Sequence, residues 1–298
     1  MKLLHTSDLR LGQSFAQVHS LAAALREARL EAVGSLLALA AREKVDAIVL
    51  AGNTLADRRV SHQLVVQLTS RLATSSVPVY LWPGETDPYA ADSPYALRSD
   101  LFQGPMQVLT QPMLPWQGPA VAVGCGPTNP GLKADYVAMG GRPLAFDQAP
   151  AYWSGTPEGY DYGHGQGSVN LVTFPGPQLR RIPLGRYTWL EKQSSSLQGL
   201  TQELDRLASD STLLRLQLSG RATFEELQQF EAWKSRPRFQ WLEVDNQLRL
   251  EEGARYQHPL LRSLQSRVLD PVGEAGVARQ ALLDLHSLLS KSGKEDLA

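Results

Sequence analysis

Three apolar runs near the start of this chain each end in a polar cluster, and those clusters carry side chains able to meet a cation or a phosphate. Asp8 and Arg10 follow the run at residues 2–5, Gly52-Asn53 follows the run at 45–51, and Gly84-Glu85-Thr86-Asp87 follows the run at 77–82. Asp8, Asn53 and Glu85 offer hard oxygen donors of the kind Mg²⁺ takes, and they are weak candidates for a single metal site. Arg10 is no ligand, because its guanidinium stays protonated and has no lone pair to give. An arginine two residues beyond an aspartate suits a different task, neutralising a partly buried carboxylate that would otherwise be costly. The expectation is that Arg10 pairs with Asp8, joined at the same rim by Arg142.

Elements that can position these residues are legible. Residues 21–44 carry helical apolar spacing (Leu21, Leu25, Ala28, Ala32, Leu36, Leu39), and residues 61–73 return to helix. The runs at 45–51 and 77–82 are continuous apolar strands of the sort covered on both faces. Strand, helix, strand, helix, strand is an α/β layered sheet, with chemistry expected at the loops leaving the strand C-termini. Further short strands are expected at 107–110, 120–123 and 134–139, and a hairpin at 168–174 and 178–184 turns about Pro175-Gly176. Beyond Arg186 a helix at 197–208, a half-exposed strand at 212–218, a helix at 223–233 with Thr223 as N-cap and a strand at 239–244 make a small α+β module. The tail has two apolar stripes at helical spacing: Leu260, Leu261, Leu264 and Val268, then Leu282, Leu285, Leu288 and Leu289.

Composition sets limits on the partners. Net charge is -1 over 298 residues, so any nucleic-acid contact needs a local basic face. Arg58-Arg59, Arg98, Arg142 and Arg180-Arg181 are the candidates for one, although scattered arginines on a neutral protein are more often solvated. No apolar run of about 18 residues exists to span a bilayer. The single Cys125 excludes an internal disulfide, which fits a reducing cytoplasm. Cys125 reads as a small buried hydrophobe, His5 as a packed strand residue, and His62 and His164 as loop residues outside any ligand-spaced pair. Gly163-His-Gly-Gln-Gly167 lies between strands, where a turn is expected rather than a phosphate loop.

Several stretches taken together resemble the nuclease subunit of the bacterial SbcCD-type DNA repair complex, a calcineurin-like metallophosphoesterase: Leu4-His5-Thr6-Ser7-Asp8, Leu50-Ala51-Gly52, Ala134-Asp135-Tyr136-Val137-Ala138, Ser154-Gly155-Thr156-Pro157-Glu158, Pro183-Leu184-Gly185-Arg186-Tyr187 and Leu218-Ser219-Gly220-Arg221. The resemblance implies a metallophosphoesterase sandwich over 1–190, a small α+β capping domain over 191–253 and a helical tail over 254–298 that binds a partner. It also implies a two-metal centre with ligands in five blocks, and every block is altered here. Asp-x-His reads Asp8-Leu9-Arg10, Gly-Asp reads Gly52-Asn53, and Gly-Asn-His-Asp reads Gly84-Glu85-Thr86-Asp87. The block-four histidine falls in a shortened loop at 126–131, and Gly-His-x-His reads Gly140-Gly141-Arg142-Pro143.

A dinuclear phosphoesterase needs carboxylates and imidazoles to hold two ions about 4 Å apart, so no catalytic residue, metal or cofactor is expected. The leading expectation is a catalytically degenerate relative of that nuclease subunit, a structural or regulatory partner of an SMC-like coiled-coil ATPase in DNA processing, with DNA contact and a homodimer left open. One alternative is an active phosphoesterase or exonuclease using Mn²⁺ or Mg²⁺ at Asp8, Asn53 and Glu85. Another is an anion-binding protein using the vacated pocket at Arg10 and Arg142.

Overall fold

In the computed structural model, residues 1–236 and 238–250 are described. The tail over 254–298, with its two leucine-rich stripes and the partner-binding role expected of them, lies outside the described residues. The chain divides into two compact units, Met1–Trp189 and a second beginning at Leu190.

The first unit is layered because its strands alternate. Strands β1 (Lys2–Thr6), β2 (Ala47–Ala51), β3 (Val79–Trp82) and β4 (Met106–Val108) run parallel in that order. Side chains of successive strand residues point to opposite faces. Leu4, Ile48, Leu50, Val79 and Leu81 pack with Leu30, Val33 and Leu36 of α1 (Ala22–Glu43) and Val65 and Leu68 of α2 (His62–Leu72). Their neighbours Leu3, Ala47, Val49, Ala51 and Tyr80 share the other core with a second sheet. That sheet has the order β5 (Val121–Cys125), β6 (Tyr136–Gly140), β8 (Ala151–Trp153), β7 (Phe146–Gln148). The result is a helix–sheet–sheet stack in which β2 is buried at every residue, as its unbroken apolar run requires.

Local signals fix the ends. Helix α1 stops at Lys44, which is left-handed at φ 53, and Ser61 caps α2 by accepting from the Leu64 N–H at 3.3 Å. The hairpin forms as β9 (Gly165–Thr173) against β10 (Gln178–Ser194), with β9 antiparallel to β1 on its other side. Strand β9 begins at Gly165, so the last three residues of the turn expected at 163–167 are strand, and β10 runs on through Ser194. Strands β7 and β8 are not legible in the sequence. They are three residues each, with Pro143 and Pro150 beside them. No described helix is long and apolar enough to cross a membrane.

In the second unit, α3 (Pro94–Leu97) having closed the first unit's helices, α4 (Leu200–Leu207) and α5 (Phe224–Lys234) pack on β11 (Thr212–Leu218) and β13 (Trp241–Asn246), which are parallel. A short pair, β12 (Arg221–Ala222) and β14 (Arg249–Leu250), lies alongside. Leu204, Leu214, Leu216, Leu218, Leu227 and Phe230 form the core. Strand β11 is more buried than its alternation suggests, because Leu213 is covered as fully as Leu214. Thr223 and Glu226 close a reciprocal capping box on α5.

Candidate functional site: a closed polar cluster at the strand ends

The loops that leave β1 and β2 run side by side, laced by backbone bonds from Asp8 N to Gly52 O (3.0 Å), Arg10 N to Asn53 O (2.8 Å) and Leu11 N to Thr54 O (2.9 Å). Asp8, Arg10 and Asn53 are left-handed at φ 55, 42 and 54. Aspartate and asparagine visit that region readily, whereas an arginine held there marks a turn fixed by its surroundings. The third loop closes on the second. Gly84 approaches so tightly that a Cβ on it would lie 2.2 Å from Asn53 N, and no other residue type fits.

At the centre the Asp8 carboxylate is fully buried and accepts three hydrogen bonds. Oδ2 accepts from Ser7 Oγ at 2.8 Å and from the Gly141 N–H at 2.9 Å, and Oδ1 accepts from Asn53 Nδ2 at 2.8 Å. Arg10 Nε lies 3.6 Å from Oδ1, an ion pair rather than a hydrogen bond. The Arg10 guanidinium stands 5.0 Å from the Tyr160 ring centre, a cation–π distance. Asn53 is equally committed, since its Oδ1 accepts from the Thr86 N–H at 3.0 Å while its amide nitrogen serves Asp8. These contacts fix the amide orientation, with the donor toward the carboxylate.

Asp87 forms a second buried anchor. Its oxygens accept from the N–H groups of Asn53 (3.1 Å), Leu55 (2.9 Å) and Gly84 (2.8 Å) and from the Tyr95 hydroxyl (2.6 Å). Burial pushes its carboxyl above the ordinary range against the pull of those donors. Glu85, in the same loop, is exposed and makes no part of this network.

Arg29, on the buried face of α1, ties the cluster down. Its Nε and Nη2 donate to the Leu9 carbonyl, Nη2 to the Asp8 carbonyl at 2.8 Å, and Nη1 to Glu158 O at 2.6 Å and Gly159 O at 3.3 Å. Burial brings its pKa down to about 10, so it remains charged at neutral pH. The Ser154-Gly155-Thr156 segment lies under the Asp8 turn. Ser7 Oγ is 3.3 Å from Ser154 Oγ, and Thr156 Oγ1 sits between Asp8 O (3.0 Å) and Glu158 O (2.6 Å). Glu158 in turn accepts the N–H groups of Arg186 and Tyr187 at 2.6 and 3.0 Å.

The structure thus brings Asp8, Arg10, Asn53, Thr86 and Gly141 together, but one expectation needs correction. Arg142 does not join Asp8: its guanidinium donates to Pro127 O at 2.9 and 2.5 Å and stacks over Phe146 and Trp153. The neighbouring backbone N–H of Gly141 takes the place intended for it. Asp8, Asn53 and Glu85 do not present three oxygens to one point in this arrangement, since Asn53 turns its donor to Asp8, its side-chain oxygen accepts from Thr86, and Glu85 is exposed. Among the described residues no three of His, Cys, Asp and Glu converge on one point. The two-metal centre of the resembling family therefore does not fit the donors present here.

Residues the sequence reading passed over matter as much. Arg29, Tyr160 and the Gly141 N–H were missed, and Cys125 reaches the cluster from β5, packed against Gly52. Burial, with Asp8 adding to it, pushes the Cys125 thiol up to about 12, which leaves it a poor nucleophile. His5 is buried in β1, its Nδ1 2.8 Å from the Tyr136 hydroxyl, and burial lowers its pKa to about 3. His164 packs edge-on against Tyr160 at 4.6 Å. Of the arginines proposed as a phosphate-contacting face, Arg58 pairs with Asp92 (3.2 Å), Arg180 with Glu43 (2.8 Å) and Arg181 with Asp147 (2.5 Å). Their charge is locally balanced.

No family model matches the chain, and no curated protein matches it. Among solved structures, Yfce, a phosphoesterase from E. coli, is similar over 62% of this chain and 100% of its own, with 17% sequence identity and a TM-score of 0.36. A likeness of that depth assigns neither family nor activity.

Proposed function

We propose that this protein is a non-catalytic relative of calcineurin-like phosphoesterases, acting as a structural or regulatory subunit beside an SMC-like coiled-coil ATPase in DNA processing. One observation carries the first half of that reading: Asp8 accepts three hydrogen bonds within the protein, the Asn53 amide turns its donor to Asp8 and its oxygen to Thr86, and a guanidinium pairs with Asp8 where a metal-binding imidazole would stand. Metal binding of this kind needs free carboxylate and imidazole donors, and its strength grows with their number. A cation at Asp8 Oδ1 would have to turn the Asn53 amide away and displace Arg10. The second half is supported by the sequence resemblance and by the two leucine-rich stripes of the tail, whose spacing suits a helix laid in a partner's groove.

The test has two arms. The purified chain, assayed for bound metal and for Mn²⁺-dependent hydrolysis of single- and double-stranded DNA and of a nitrophenyl phosphodiester, is expected to hold no stoichiometric metal and to match its Asp8→Ala variant. Two tightly bound divalent ions, with turnover abolished by Asp8→Ala, would overturn the non-catalytic reading. Co-purification with a large coiled-coil ATPase, lost on truncation after Gly253, is the expected partner result. Retention of the ATPase by the truncated chain would remove the tail from the interface.

A further inference from the structure

Arg10 is held firmly, yet its hydrogen-bonding capacity is unspent. A guanidinium carries five N–H donors in a rigid planar fork. Asp8, the carboxylate beside it, already accepts three bonds at 2.8–2.9 Å, so Arg10 stays at 3.6 Å and gains charge neutralisation without a hydrogen bond. Among the described residues its side chain donates to no acceptor, and its Nε is buried without one. The Tyr160 ring backs the guanidinium at 5.0 Å, and the backbone of Arg10 is pinned by Asn53 O at 2.8 Å. The side chain nonetheless keeps 26% of its surface open to solvent.

A second unpartnered nitrogen lies against the same ring: His164 Nδ1 is buried without a hydrogen-bond partner, and its imidazole meets Tyr160 edge-on at 4.6 Å. Arg29 adds positive charge on Tyr160, 5.2 Å from the ring centre, while its own donors are spent on backbone carbonyls. A preorganised, partly open guanidinium with free N–H groups is the feature that recognises carboxylate and phosphate oxygens.

We propose that Arg10, backed by Tyr160 and flanked by His164, is a metal-free receptor for a phosphate-type oxyanion, supplied either as a free ion or as the terminal phosphate of a nucleic-acid strand. The proposal rests on the reading that the Asp8 cluster is closed to cations, because a metal at Asp8 would displace Arg10. Binding adds the anion's oxygens to the unspent N–H donors and leaves the three bonds of Asp8 intact.

The experiment is a titration of the full chain, stripped of metal with a chelator, with inorganic phosphate at constant ionic strength, following the guanidinium N–H resonances by NMR. The Arg10 Nε–H signal, assigned by its disappearance in Arg10→Lys, is expected to shift saturably with phosphate and to stay still with sodium chloride. Arg10→Lys keeps a cation beside Asp8 but loses the fork, so phosphate affinity should fall about tenfold or more. Arg42→Gln, on an exposed arginine in the last turn of α1, should change nothing. Competition by a 5′-phosphorylated oligonucleotide, but not by its 5′-hydroxyl counterpart, assigns the strand terminus as the source, and competition by neither assigns the free ion. An Arg10 signal unmoved by tens of millimolar phosphate, or a lysine variant that binds as well as the parent, overturns the proposal and leaves the non-catalytic reading standing. Bound metal or metal-dependent turnover overturns that reading instead.

Discussion

Replacing Arg29 with methionine tests whether the cluster is held from beneath by one buried cation. The guanidinium serves four carbonyls from two chain segments, 8–9 and 158–159. Two of these, Asp8 O and Glu158 O, also lie within reach of the Thr156 hydroxyl, which can serve one of them. Leu9 O and Gly159 O lose the donor outright. An orphaned buried acceptor costs about 1–3 kcal/mol, so two of them cost about 2–6 kcal/mol. Methionine fills much of the volume and relieves the desolvation of the charge, which offsets part of that loss. A net destabilisation of about 3 kcal/mol is expected, at the low end of values for breaking a buried charged network. Urea unfolding at pH 7 measures it, with the midpoint falling at unchanged slope. Arg29→Lys should recover little, because one ammonium group with three donors cannot span both segments. A methionine variant within about 0.5 kcal/mol of the parent would refute the reasoning, since that is the range of ordinary surface changes.

Other perturbations probe neighbouring parts of the argument. His5 is buried with its pKa lowered to about 3, so between that value and about 6.5 the unfolded chain binds a proton that the folded chain does not. Stability should therefore fall on acidification through this window by up to about 1.4 kcal/mol per pH unit, and the loss should shrink in His5→Phe; comparing the two proteins by urea unfolding cancels the opposing effect of Asp87 and Glu158, whose pKa values are raised by burial. Asn53→Asp sets a second carboxylate 2.8 Å from Asp8 Oδ1 where an amide donor now lies, and should cost at least about 3 kcal/mol at pH 7 by thermal or urea unfolding, with partial recovery near pH 5 as one of the pair takes a proton. Thr223→Ala removes one half of the α5 capping box and should cost about 1 kcal/mol, read as a lowered urea midpoint of the second unit.

Much of the scaffold is legible because its signals are local. Continuous apolar runs give β1, β2 and β3, helical spacing gives α1 and α2, and Thr223 three residues before Glu226 announces the start of α5. The meeting of Asp8 with Asn53 follows from their places after parallel neighbouring strands. What escapes the sequence is long-range or carried by the backbone. The partner of Asp8 from the β6 loop is a main-chain N–H, which no side-chain pattern marks, and so the charge of Arg142 draws attention to the wrong atom. Arg29 did leave a trace. Leu25, Arg29 and Val33 are spaced four apart on α1 and all three are buried, so an arginine stands in the middle of an apolar stripe. A charge in that position implies a paired or fully hydrogen-bonded partner inside the fold.

The arrangement also explains how two buried carboxylates, Asp8 and Asp87, are tolerated at these strand ends. Three carboxylates around one point are tolerable only with cations among them, because each added negative charge raises the cost of the others. At position 53 an amide turns a donor toward Asp8, where a carboxylate would add a further negative charge. Arg10 then balances the remaining charge, Asp8 at −1 against a guanidinium at +1, and Asp87 is served by three backbone N–H groups and a tyrosine hydroxyl. The three loops keep their close approach, enforced by Gly84 against Asn53 and by the left-handed turn at Asp8.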